Sequence, residues 1–157
     1  EKLKSAVLID MSPKPLSADS DDWVEGPIDD LCQAAATLTT QEAQRAFFAD
    51  YAKQVMVQRD LSCEELFNIT DISSRTPCHI THSLFTNAVM GDYRDGCKKL
   101  NDSVPTMMFI AEHWSQVALP YMNRNYPNVR TCVMGGHLMF WEYPDKFNAE
   151  VDKFIDR

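Results

Sequence analysis

The sequence predicts an α/β fold, a few parallel strands with helices, and a helix-rich insertion between the first strand and the second. Three observations carry that prediction. Leu3 to Ile9, Val104 to Ala111 and Val129 to Val133 are short apolar runs of strand length. Helix start signals crowd the stretch from Trp23 to about Met90. The final order, strand, helix, strand, loop, helix, is the alternation of parallel strands joined by helical crossovers.

Each element has a local reason. Asp10 closes the first run, and Met11-Ser12-Pro13-Lys14-Pro15 breaks it. Ser17 to Asp22 is an acidic solvent loop. Thr39-x-x-Glu42 reads as a capping box, followed by Ala43, Phe47, Tyr51 and Val55 as an apolar stripe. Ser62-x-x-Glu65 is a second capping box. Thr76-Pro77 starts a helix with Ile80, Leu84 and Ala88 on one side, and Gly91 ends it. Gly135-Gly136-His137 follows the last strand, and two glycines permit a sharp turn that brings the imidazole to the strand's end. Pro144 fits a first helical position, with Phe147, Val151, Phe154 and Ile155 at helical spacing behind it.

Composition narrows the function classes. The 157 residues suffice for one domain with a core, and 45% apolar against 24% charged is ordinary for a globular protein. A formal net charge of -8 lacks the basic footprint of a nucleic-acid binder. No apolar run has the length of a membrane span. The five cysteines are scattered and odd in number, which predicts free thiols in a reducing compartment, the cytoplasm.

The order and spacing of these motifs resemble the C-terminal half of a capped α/β-hydrolase. Leu3 to Asp10 resembles the strand after the nucleophile helix, and Trp23 to about Met90 the inserted helical cap. Val104-Pro105-Thr106 with its apolar run, the Gly-Gly-His loop and the Pro-x-x-Phe-Asn helix resemble the last core elements. The resemblance implies half of a doubly wound parallel sheet, divided as core strand and loop (1–22), cap (23–100) and C-terminal core (101–157). No G-x-S-x-G elbow is present, since none of the five glycines flanks a serine or cysteine in that pattern. The expectation is therefore a C-terminal piece whose partner is the missing N-terminal half of the same protein, or a homo-oligomer.

The resemblance also assigns roles. His137 is the expected general base. Many members carry the acid after the strand placed at Val104 to Ala111, where this chain reads Ala111-Glu112-His113-Trp114 with tryptophan at the aspartate position. A subset, to which haloalkane dehalogenases and cofactor-free quinolone ring-cleaving dioxygenases are similar, carries it after the earlier strand. Asp10 stands there and is the expected acid, with Glu112 the alternative. Trp23, Trp114, Phe140 and Trp141 line a substrate pocket between core and cap, or are plain packing residues. His113 is expected as an exposed loop histidine. Cys78-His79-x-x-His82 has helical spacing that allows a metal, and Asp19 to Asp22 superficially suggests calcium; neither has a complete ligand set. No metal and no cofactor is expected.

Three functions follow from the resemblance. The first is a hydrolase, an esterase acting on a small apolar or aromatic substrate through a nucleophile–His–acid triad. The second is a cofactor-independent dioxygenase cleaving a 3-hydroxy-4-quinolone. The third is a non-catalytic binding or assembly fragment.

Overall fold

The computed structural model describes residues 3–156. Glu1, Lys2 and Arg157, the ends of the expected segments 1–22 and 101–157, lie outside the described residues. Three parallel strands, β1 (Ala6–Ile9), β2 (Thr106–Ile110) and β3 (Arg130–Val133), form one sheet in the order β1-β2-β3. Each is shorter than its apolar run: Leu3 lies outside β1 and is exposed, and Val104 and Val129 precede the ladders.

β2 is central and buried along its whole length. Side chains alternate across a strand, so β2 feeds two cores. Met108 and Ile110 pack with Ala118, Tyr121 and Met122 of the helix that follows β2. Met107 and Phe109 pack on the opposite face with Met139 and with Phe154 of the last helix. A strand covered on both faces reads as a continuous apolar run, and this explains why Met107 to Ile110 shows no alternation.

The helical layer comprises α1 (Ile28–Thr37), α2 (Gln41–Tyr51), α3 (Cys63–Ser73) and α4 (Cys78–Met90). Its own apolar cluster gathers Ala52, Met56, Val57 and Ile69. α2 is capped by Thr40, whose hydroxyl accepts from the Ala43 N–H, one residue later than the Thr39 box predicts. The Ser62–Glu65 box forms with both reciprocal bonds. α2 runs into one π-helical turn, Ala52–Met56. Its fully buried positions are Gln44, Ala52 and Met56, one step round from the expected stripe, while Phe47 and Tyr51 stack on its flank. On α4, Val89 is the buried residue and Ile80 and Leu84 face outward, contrary to the expected stripe. Pro77 caps α4 from outside with no side-chain bond, so Thr76 is not the cap.

α5 (Arg94–Ser103) leads back to the sheet; Cys97 packs against the core around Met108, so this helix sits on the sheet although the expected cap extends to residue 100. α6 (Ser115–Asn125) joins β2 to β3. α7 (Met139–Glu142) is a single turn, and α8 (Pro144–Ile155) starts at Pro144 as expected. Phe154 is buried on α8, whereas Ile155 is exposed. No helix among the described residues is long and apolar enough to cross a membrane.

Candidate active site

The strand register brings the three carboxyl-terminal strand ends together. Ile9 pairs with Phe109, and Phe109 with Cys132. The next residues outward are Asp10, Ala111 and the Gly135 turn, the end of a parallel sheet where ligands bind. Asp10 N–H donates to Phe109 O at 2.8 Å, and Glu112 N–H donates to Gly135 O at 2.9 Å. The backbone of all three turns is thereby interlocked.

Asp10 is buried at this junction with a left-handed φ of 46°, a conformation that costs an L-residue energy and that Asp tolerates better than most. The turn aims its carboxylate inward. Oδ1 accepts the Ala111 N–H at 2.7 Å. Oδ2 lies 3.0 Å from Nδ1 of His137. With its side chain 1% exposed against 31% for His137, the carboxylate is shielded while the imidazole remains partly exposed. A carboxylate facing Nδ1 favours a proton there, leaving Nε2 as the nitrogen able to accept one.

Gly135 has φ 54°, the left-handed region that suits glycine. Gly136 is required by space: a Cβ would lie 2.6 Å from Met56 O. The close approach lets the His137 N–H reach Val55 O at 3.0 Å and the Leu138 N–H reach Met56 O at 2.7 Å. The histidine loop is thus seated on the π-helical turn of the helical layer, and Leu138 packs into that layer's apolar cluster.

Glu112 does not meet His137 in this arrangement. It is exposed, and its Oε1 accepts the Gly135 N–H at 3.2 Å, bracing the glycine turn. Trp23 is 1% exposed and packs with Met108, Tyr121 and Met122 beneath the sheet, away from any cleft. Trp114 is half-buried between the two core clusters. Phe140 and Trp141 are exposed; Phe140 meets Phe147 edge-on, and the Arg59 guanidinium lies over the Trp141 ring at 5.4 Å. Packing, or latching of the helical layer, accounts for these aromatics' positions. His82 Nδ1 contacts Ala35 O at 2.8 Å, a structural bond between α4 and α1.

Two residues that sequence reasoning did not assign to the site join it. Glu25 accepts the Ser12 N–H at 3.3 Å, and burial raises its carboxyl above the ordinary value, reinforced by Asp10 and opposed by the Ser12 bond and His137. Tyr51 has its ring 6.5 Å from the His137 ring, and burial, then Glu25 and Asp10, push its hydroxyl up to about 12. Desolvation lowers the pKa of His113, whose Nδ1 is 3.2 Å from Gln58 Nε2. Nothing in the spacing of Glu25 marked it; Tyr51 read simply as part of an apolar stripe.

Comparison with family models and with curated proteins returned no match. Solved structures do match. A hydrolase from Oleispira antarctica superposes with a TM-score of 0.79 at 19% identity, over 98% of this chain and 56% of its own. An enol-lactonase from Burkholderia xenovorans gives 0.76 at 17% identity, over 99% and 57%. A bromoperoxidase from Bacillus anthracis gives 0.75 at 15% identity, over 92% and 55%. The chain has the α/β-hydrolase fold, matched over about half the length of these neighbours, as fits a C-terminal portion.

Proposed function

We propose that the intact protein hydrolyses an ester or related activated carbonyl of a small apolar or aromatic substrate. The Asp10 Oδ2–His137 Nδ1 contact at 3.0 Å, at the carboxyl ends of parallel strands, carries this reading. The names of two neighbours, a hydrolase and an enol-lactonase, support it.

In the proposed reaction a nucleophile outside this chain attacks the carbonyl carbon while His137 Nε2 takes its proton. Asp10 holds the ring by Nδ1 and stabilises the imidazolium. Collapse of the tetrahedral intermediate expels the leaving group, which receives that proton. His137 then deprotonates water, which attacks the acyl-enzyme and frees the acid and the nucleophile. The helical layer acts as a cap that selects the substrate, with Tyr51 at its boundary with the core.

The nucleophile belongs to the N-terminal half of the same protein or to a second copy. The sheet supports this: β1 pairs with β2 alone among the described strands, and an apolar cavity of about 440 Å³ lined by Val7, Ile9, Tyr93, Cys97 and Met108 lies along it. All five cysteines are free, in keeping with a reducing compartment such as the cytoplasm.

The placement of Asp10 after β1, ahead of the helical layer, favours a second reading, the cofactor-free dioxygenase. There the same pair would deprotonate a 3-hydroxy-4-quinolone, which would then react with oxygen. Hydrolysis of a panel of chromogenic esters, run beside oxygen uptake with such a quinolone, separates the two. Ester turnover lost in His137→Ala supports the hydrolase; oxygen uptake without ester turnover supports the dioxygenase. Inertness in both leaves the binding or assembly role.

A further inference from the structure

Glu142, at the end of α7, joins the histidine loop to the helical layer through one side chain. Its Oε2 accepts the Gly136 N–H at 2.8 Å, next to His137. Its Oε1 accepts the backbone N–H groups of Gln58 and Arg59 at 3.0 and 3.1 Å, just beyond the π-helical turn. The carboxylate therefore gathers three amides, two from the helical layer and one from the histidine loop. Charge-assisted bonds of this kind are among the stronger hydrogen bonds. The neighbouring Trp141 stacks under Arg59, and Arg59 in turn pairs with Glu65 at 2.6 Å, the residue that completes the α3 capping box. A continuous chain of contacts runs from Gly136 to α3.

We propose that Glu142 is a positioning residue for His137, clamping Gly136 to the Gln58–Arg59 segment so that the imidazole is set only while the helical layer is docked. The role rests on the catalytic reading of His137 given above. Glu142 does not touch the imidazole; it acts through the backbone of Gly136. The Val55 and Met56 carbonyls hold the next two residues of the loop, so removing Glu142 frees the hinge and leaves those bonds in place.

A glutamine at this position tests the clamp with little change of shape. It has one acceptor oxygen and one NH2, so it satisfies either Gly136 or the Gln58–Arg59 pair and presents a donor to the other. In the intact protein, Glu142→Gln is expected to lower kcat about ten- to a hundredfold with KM little changed, as a small misplacement of a base does. It is also expected to weaken the downfield proton NMR signal of His137 Nδ1–H and to shift the acid limb of the kcat/KM profile. Arg59→Ala removes the stacking and the ion pair and keeps the backbone donors, so kcat and the His137 signal should stay near wild type. In the unmodified protein, hydrogen exchange should give the Gln58, Arg59 and Gly136 amides one common protection. The clamp is overturned by a wild-type His137 signal and kcat in Glu142→Gln, by an equal loss in Arg59→Ala, or by Gly136 exchanging independently of the other two amides. The NMR and exchange readouts need no substrate, so they report on the clamp even where ester cleavage fails.

Discussion

Replacing Asp10 by asparagine tests the proposed acid with the smallest change of shape. Oδ1 is tied to the Ala111 N–H at 2.7 Å, a donor that only an oxygen can satisfy. The amide oxygen therefore stays on that side, and the NH2 faces His137 Nδ1, 3.0 Å away in the native pair. A donor there forces Nδ1 to accept, which moves the ring proton to Nε2. The nitrogen that should accept the nucleophile's proton is then already protonated. A wrong tautomer of this kind costs about 10⁴-fold in rate, or about 5 kcal/mol of transition-state stabilisation at 1.36 kcal/mol per decade. Because the Ala111 bond survives, the fold should persist. The assay is kcat/KM for ester hydrolysis by the intact protein across pH, with circular dichroism to confirm folding. A folded Asp10→Asn variant within tenfold of wild type would refute the reasoning.

Glu112→Gln should leave turnover within a few-fold of wild type, because an amide oxygen still accepts the Gly135 N–H; steady-state kinetics check this, and a loss matching Asp10→Asn would return the acid role to Glu112. Gly136→Ala should destabilise by about 1–3 kcal/mol, the usual cost of forcing extra volume against fixed structure, because its Cβ meets backbone at Met56; urea denaturation measures it. Glu25 gives a signed pH effect. Its folded carboxyl titrates above the ordinary 4.5, so the native state holds a proton that the unfolded state has lost. Its contribution is therefore favourable below 4.5 and is lost as pH rises through the window above. Glu25→Gln should remove that fall, seen as a gain in midpoint relative to wild type at pH 7 that vanishes near pH 4.

The sheet was legible because its signals are local and strong. β2 is a continuous apolar run, and Pro144 and the Ser62–Glu65 box mark helix starts by chemistry that does not depend on the rest of the fold. The Asp10–His137 pair was legible only through order along the chain: 127 residues separate them, and the register that joins them is set by pairing with β2. Helix faces were misjudged where apolar residues stay outside. Ile80 and Leu84 are spaced as a buried stripe yet face outward, since periodicity shows that a face is apolar without showing what covers it. The buried face of α2 and the turn after it runs through Gln44, Ala52 and Met56, beside the Phe47–Tyr51 line from its start, and no residue pattern announced the π-helical turn. Trp23, Phe140 and Trp141 show the same ambiguity, because aromatics are equally at home in a core, on a latch or in a pocket. Glu25 and Glu142 were invisible for another reason: their partners are backbone amides, which every sequence contains.

The most direct measurement is ester turnover by the intact protein with His137 replaced by alanine, beside wild type and with folding verified. A loss of about 10³-fold or more, to the level left by binding and electrostatics alone, is the predicted result. A folded His137→Ala variant that turns over substrate at the wild-type rate would contradict the account, for the Asp10–His137 pair would then serve the structure without serving the reaction.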